Sequence, residues 1–408
     1  VKILHAIQTA DPATGGPIEG VRQFAAAQRA LGCTSEVVTL DAPDAPKGTE
    51  LVPEPADAFP IHLPIHRLGP GHGGAYAWSP RFIPWLREHR HRFDVVVVNG
   101  LWQFHGAAVR EALRGTDTPY VVFPHGMLDP WFKQRHPLKH WKKALYWRAC
   151  EHRVLRDAAA VLFTAEEERQ LARNTFTPYQ CRELVVHHGC EGMPMEPEAA
   201  RRAFEERFPE LSGKELILYL GRIHEKKGAD LLLSAFQHAL RDAPHRPLHM
   251  VMAGPVGPDA SAYAARLRAM AARLGIAERV TWAGMLQGPC KWGAFAAAEL
   301  FALPSHQENF GIAVAEALSA RLPVLISRQV NIWREIVDAG AGWAQADDEA
   351  GTIASLQAWL ALEPEARSAV RARARACFES HFAIHHAARC FTEALETVVR
   401  EAGKAPRF

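Results

Sequence analysis

Two segments of this chain place charge where an apolar run ends. The run Glu215–Leu220 opens into Gly221-Arg222-Ile223-His224-Glu225-Lys226-Lys227-Gly228. Glycines at both ends let the backbone turn sharply and approach a ligand. Arg222 and Lys227 bring two positive charges to a point where a diphosphate would need neutralising. A solvated basic loop has the same composition, so this segment alone leaves both readings open. It is not the phosphate loop of nucleotide hydrolases, because no Gly-Lys-Ser/Thr follows the turn. The second segment is Pro304-Ser305-His306-Gln307-Glu308-Asn309-Phe310-Gly311, continuing as Ile312-Ala313-Val314-Ala315-Glu316-Ala317. The spacing predicts a helix from near Phe310, whose first N–H groups, around Asn309, Phe310, Gly311 and Ile312, face any anion placed there. Glu316 falls about six residues along, roughly 9 Å at 1.5 Å per residue. That distance suits a ribose, whose vicinal hydroxyls a carboxylate can accept. Glu308, before the helix, meets whatever hangs beyond the phosphates. Glutamates eight apart occur in ordinary helices too; the more specific feature is a charge interrupting a small apolar face.

The elements that must position these residues alternate along almost the whole chain. Short apolar runs and longer amphipathic segments succeed one another, the pattern of a parallel sheet covered by helices. In the first half, strands are predicted at 2–7, 35–40, 94–98, 120–123, 160–163 and 184–187, and helices near 18–31, 104–113, 138–156 and 165–173. The stretch 41–84, rich in Pro and Gly, reads as long loops. After residue 190 the alternation restarts, with strands at 215–220, 249–253, 279–283, 300–303 and 323–326. The segment 189–198, with Pro194 and Pro197, is the candidate hinge. The expected division is 1–189 and 190–381, with a terminal helix over about 382–408 returning to the first domain. Two such units bind ligands in the cleft between the carboxyl ends of their strands.

Composition excludes other classes. A length of 408 residues exceeds one ordinary core, and 48% hydrophobic with 23% charged residues fits a globular protein. A net charge of +2 gives no footprint for nucleic acid. The seven cysteines are scattered without a Cys-x-x-Cys pair, which favours reduced thiols in a cytoplasmic protein over a zinc site or disulfide framework. No apolar run approaches the roughly 18–20 residues of a membrane span, and the first apolar stretch reads as a strand and not a signal peptide.

Taken together, Gly221-Arg222…Lys227-Gly228 followed by Glu308 and Glu316 resembles the signature of glycosyltransferase family 4, retaining enzymes with the GT-B fold. Ala253-Gly254 and Trp282-Ala283-Gly284, at successive strand ends, match the same spacing. The resemblance implies an α/β architecture of two Rossmann-like domains with parallel sheets facing a central cleft. It implies that Arg222 and Lys227 bind the diphosphate, Glu316 the ribose and Glu308 the donor sugar, with Gly254 nearby. Gly15-Gly16, after the first strand, matches the family's glycine-rich N-terminal loop. His125, in Phe123-Pro124-His125-Gly126-Met127, matches the histidine the family places near the transferred sugar. The implied donor is a UDP- or GDP-sugar, with no other cofactor, and the implied acceptor is a glycan or lipid-linked hydroxyl. Trp102, His105 and the 41–84 loops are acceptor-side candidates. The hinge departs from the family by reading His187-His188-Gly189-Cys190-Glu191 in place of Asn-Gly-Val-Asp, and Asn309 fills a variable position.

No Asp-x-Asp pair stands at a strand end to hold a divalent metal on the diphosphate, so metal-independent chemistry is expected. Between Trp131 and His152, Leu138, Trp141, Leu145 and Ala149 share one helical face. Lys139, Lys142, Lys143 and Tyr146 share another, with Trp147 at its margin. Basic residues beside aromatics suit an anionic membrane surface, here the inner face of the membrane; a helix packed on its sheet with lysines in water fits as well. Two other functions use the same architecture: a non-hydrolysing nucleotide-sugar epimerase, which needs further proton-transfer groups, and a non-catalytic sugar-nucleotide binder.

Overall fold

The computed structural model describes residues 1–11, 16–44, 63–130, 133, 137–257 and 260–404. The chain divides into two compact units, Val1–Gly189 with Ile384–Phe408, and Cys190–Ala383.

The first unit is built on a seven-stranded sheet in the order β3-β2-β1-β4-β5-β6-β7. Its strands are β1 (Lys2–Ala6), β2 (Thr34–Thr39), β3 (Ile65–Arg67), β4 (Val95–Asn99), β5 (Tyr120–Phe123), β6 (Ala160–Phe163) and β7 (Glu183–Val185). Every pairing is parallel. A parallel strand covered on both faces must be apolar throughout, and Val95–Asn99 (Val-Val-Val-Val-Asn) is buried at every position. One face packs on the Phe82–His89 and Phe104–Leu113 helices through Phe82, Leu86, Phe104 and Val109. The other face is closed by the last helix, Ile384–Lys404, through Ala387, Phe391, Leu395 and Val398.

The second unit has a six-stranded sheet in the order β10-β9-β8-β11-β12-β13. Its strands are β8 (Glu215–Leu220), β9 (Leu248–Ala253), β10 (Val280–Gly284), β11 (Ala298–Leu303), β12 (Val324–Ser327) and β13 (Gly342–Gln345), again all parallel. In both sheets the order runs outward from one strand in opposite directions, so the crossovers reverse once. That reversal lies between β1 and β4 in the first sheet and between β8 and β11 in the second, and loops leaving adjacent strands diverge there to open a crevice.

Four details differ from the sequence expectation. The stretch 41–84 is not loop throughout, since β3 and the start of the Phe82–His89 helix lie in it; residues 45–62 fall outside the described part. β13 escapes the pattern because it is short and begins at Gly342, where a Cβ would lie 2.1 Å from the Val324 carbonyl oxygen. The helix expected over 138–156 is interrupted: Pro137–Tyr146 passes through one wider π-type turn, Trp147–Glu151, into His152–Asp157. The helix expected from Phe310 starts at Ile312, because Gly311 caps it with a left-handed φ of 72°.

Candidate functional site

In the second unit the loops leaving β8, β9, β10 and β11 are fastened to one another through backbone. Gly221 N–H donates to Ala253 O at 3.0 Å, Ile223 N–H to Pro255 O at 3.0 Å and Gly254 N–H to Gly284 O at 2.8 Å. Gly254 has φ 146°, and a Cβ there would sit 1.8 Å from Gly221 O, so only glycine fits. On the other side His306 N–H donates to Lys226 O at 2.8 Å. A Cβ at Gly228 (φ 64°) would meet Pro304 O at 2.1 Å. The two charged segments singled out in the sequence are therefore one structure, stitched across the strand-order reversal.

Their side chains are paired across that stitch. Lys227 Nζ donates to Glu308 Oε2, both side chains being mostly buried. The Glu308 backbone is fixed as well, its N–H on Gln329 O at 2.9 Å and its carbonyl accepting from Asn331 N–H at 3.0 Å. Glu316 pairs with Lys291, Nζ to Oε1 at 2.6 Å. Burial raises the Glu316 carboxyl above its ordinary value, with the Lys291 ammonium opposing part of that rise. Arg222 is exposed, while its carbonyl accepts from the Tyr219 hydroxyl at 3.0 Å. Asn309 Oδ1 accepts from Asn331 Nδ2 at 3.1 Å. Phe310 is a core side chain, edge-on to Phe382 at 5.9 Å, and offers a ligand only backbone. Gly311 and Ile312 stand at the helix start, where the Gly311 carbonyl accepts the first helical bond, from Val314 N–H at 2.8 Å. Glu316 is the fifth residue of the Ile312–Ser319 helix. A cavity of about 410 Å³ opens beside the stitched loops, lined by Gly221, Arg222, Gly254, Pro255, Met285 and Lys291 among others.

At the corresponding edge the first unit presents a histidine and a tryptophan. His125 follows β5 with a left-handed φ of 51°. Its Nε2–H donates to Asn99 Oδ1 at 3.1 Å, and the Asn99 amide lies 3.4 Å from His5 Nδ1. Burial, with His188 and His5 adding to it, pushes the His125 imidazole down to about 3, so it is neutral near pH 7 with Nδ1 left as an acceptor. The turn is held by Glu168, from the first turn of the Glu166–Ala172 helix. Its carboxylate accepts from Gly126 N–H at 2.6 Å, Thr164 N–H at 2.7 Å and Thr164 Oγ1–H at 2.6 Å. Trp102, also at positive φ (74°), donates its backbone N–H to Glu151 Oε1 at 3.2 Å and carries the Lys143 ammonium 4.5 Å from its ring centre. His105 is fully buried on the Asn99 carbonyl at 3.0 Å, so its ring does not meet solvent. Gly16 opens the helix Gly16–Arg29, and Gly15 lies outside the described residues.

Sequence reasoning missed Lys291, Glu168 and Glu151. Glu168 left a signal, three glutamates in a first helical turn after Thr164. Lys291 left none, because only the fold brings its helix, Gly288–Ala297, beside Glu316. The Pro137–Tyr146 helix also turns otherwise than expected. Trp141 and Leu145 are 63% and 52% exposed, while Lys143 is half-buried over Trp102 and Trp147 is in the core. The side chains of Leu138 and Lys139 lie outside the described part. Among the described residues, no group of three or more His, Cys, Asp or Glu stands close enough to hold a metal ion. No described helix is long and apolar enough to cross a membrane.

Residues 15–189 match the glycosyl transferase 4-like domain and residues 201–376 match the glycosyl transferases group 1 family. The chain is 25% identical to the alpha-D-kanosaminyltransferase of Streptomyces kanamyceticus, over 78% of this chain and 83% of that protein. It is 33% identical to the D-inositol 3-phosphate glycosyltransferase of Nocardia farcinica, over 44% of this chain and only 39% of that protein's length. Among solved structures, a glycosyltransferase from Rickettsia africae superimposes with a TM-score of 0.74 at 13% identity, covering 98% of both chains. Sucrose-phosphate synthase from Thermosynechococcus elongatus gives 0.72 at 18% identity, covering 98% of this chain and 99% of that one. With two Rossmann-like sheets and both family domains in order along it, the chain belongs to the group 1, family 4 glycosyltransferases of GT-B fold, enzymes that use a nucleotide-sugar donor.

Proposed function

We propose that this enzyme moves a hexose-type sugar from a UDP- or GDP-sugar to a hydroxyl acceptor, with retention at the anomeric carbon, in polysaccharide or lipid-linked glycan assembly. The observation that carries the reading is the stitched loop pair with its two couples, Lys227–Glu308 and Lys291–Glu316. Departure of a charged diphosphate is the costly event, and Arg222, Lys227 and the start of the Ile312–Ser319 helix counter that charge. Glu308 takes hydroxyls of the donor sugar and Glu316 those of the ribose. The neighbouring cavity, with Gly254, Pro255 and Met285 in its walls, accepts the base.

In this reading 190–381 is the donor side, and 1–189 with the terminal helix the acceptor side. The bond from the anomeric carbon to the diphosphate oxygen breaks as the bond to the acceptor oxygen forms on the same face. The acceptor proton passes to the departing diphosphate. His125, neutral, accepts a hydrogen bond from the transferred sugar. Arg222 and Lys227 supply the compensating charge, so the chemical step needs no divalent metal. The exposed row of Trp141 and Leu145, beside Lys142 and Arg148, supports peripheral docking on an anionic membrane at its cytoplasmic face.

The test is thermal denaturation against UDP, GDP and their sugars, followed by transfer to a synthetic glycoside with the product anomer read by NMR. A nucleotide at 100 times its Kd stabilises by about 2.7 kcal/mol. No shift with either nucleotide, or an inverted product, contradicts the reading; an epimerised free donor identifies the isomerase alternative.

A further inference from the structure

We infer that Lys291 is a positioning residue for donor recognition: its ammonium keeps the Glu316 carboxylate charged and aimed, so that the ribose meets an ionised acceptor throughout the neutral range. The inference rests on the assignment of Glu316 to the ribose. Lys291 reaches Glu316 from a different element, the Gly288–Ala297 helix, and bonds one oxygen, Oε1, at 2.6 Å. Its ammonium also lies 4.8 Å from the centre of the Trp292 ring, which steadies its long stem. The couple is poorly solvated, with 25% of the Lys291 side chain and 12% of the Glu316 side chain exposed. A bare carboxylate so placed favours its protonated form.

The other groups around Glu316 do not supply that charge. The Cys190 thiol faces it from the start of the second unit and is held protonated by burial, with Glu191 next to it adding only negative charge. Arg375, on the Pro364–Cys377 helix, bonds the Ser319 carbonyl one turn beyond Glu316 and not the Glu316 carboxylate. The strands under that helix present apolar residues, Leu300 to Leu303 and Val324 to Ile326. Among the described residues, Lys291 is the cation bonded to Glu316.

The experiment compares UDP with its 2′,3′-dideoxy analogue (or the GDP pair, if GDP is the tighter ligand) by calorimetry from pH 5.5 to 8. The ratio of the two Kd values isolates the ribose hydroxyls and cancels the titration of the diphosphate. In the wild type this ratio should be large and flat with pH. In Lys291→Met it should shrink by about tenfold at pH 5.5, the difference between hydrogen bonds to charged and neutral acceptors, and recover toward pH 8. Lys291→Arg should restore the flat profile, and thermal melts confirm that each variant is folded. A Lys291→Met ratio that matches the wild type, or that falls equally at every pH, overturns the inference. A wild type that does not discriminate the dideoxy analogue overturns the ribose assignment itself, and this inference with it.

Discussion

The two sheets have the same strand logic and opposite chemistry at their carboxyl edges. In the second unit the reversal between β8 and β11 is ringed by full charges in couples, Lys227 with Glu308 and Lys291 with Glu316. In the first unit the residues presented after β4 and β5 are themselves uncharged: His125 on Asn99, and Trp102, set between the Lys143 ammonium and a buried carboxyl, Glu151, which burial raises to about 7. Charges suit a diphosphate that must leave as an anion; neutral, hydrogen-bonded groups suit hydroxyls that stay uncharged until late. On the proposed function, the same fold would host two kinds of recognition, decided by a few side chains at strand ends.

The largest effect that can break this contrast is on chemistry in the second unit. Lys227→Ala should lower kcat by about 10²–10³-fold, the usual cost of removing one preorganised charge partner of a transition state. The same change should leave the melting of the first unit unaltered. A loss under tenfold would mean that the diphosphate is held elsewhere.

Acidification should separate the units next. His5, His105 and His188 are pushed down to about 4 and His125 to about 3, all in the first unit, whereas His249 is the counterpart in the second. A depressed histidine binds its proton in the unfolded chain first. Stability from it is therefore present above about 6.5 and lost as pH falls toward the folded value. Glu151, raised by burial to about 7, and Glu168, also raised, act in the opposite sense, Glu151 from about pH 7 downward. With four histidines against two glutamates, the first unit should lose protection sooner between pH 7 and 5 in hydrogen exchange. Equal loss in both units would contradict the contrast.

A third change sharpens the first unit alone. Glu168→Gln puts an amide NH2 where one carboxylate oxygen accepted, so either Gly126 N–H of the His125 turn or the Thr164 donors lose their acceptor, at about 1–3 kcal/mol. It should lower the melting temperature and slow transfer while nucleotide affinity holds. The smallest effect concerns the Pro137–Tyr146 helix. Lys142→Glu with Trp141→Ser should weaken anionic-liposome sedimentation by about 1 kcal/mol per charge plus the lost apolar contact. Transfer to a soluble acceptor should be unchanged. A wild type that never sediments removes the membrane proposal.

How much of this was legible in the sequence depends on range. The Phe104–Leu113 helix and the strands β5, β6 and β8 follow from local apolar runs and their borders, and the structure has them at those residues. The charged motifs were legible because Gly221, Gly228 and Gly311 mark the turns that aim them. What was not legible is pairing. Lys291 and Glu316, or Glu168 and Gly126, meet only after helices pack, and nothing in one dimension joins them. The Pro137–Tyr146 helix was open for a related reason: periodicity gives a stripe but not which stripe is covered, and here Trp147 enters the core while Trp141 is exposed.

The central claim is that Glu308 serves the sugar and Glu316 the nucleotide, and calorimetry with the free nucleoside diphosphate tests it directly. Glu316→Gln should weaken that binding by about 1.5–3 kcal/mol, a hydrogen bond to a charged acceptor. Glu308→Gln should leave it unchanged or slightly tighter, because it releases Lys227 toward the diphosphate, while transfer falls steeply. If Glu308→Gln weakens the nucleotide as much as Glu316→Gln does, the donor does not lie along the Ile312–Ser319 helix in the direction described.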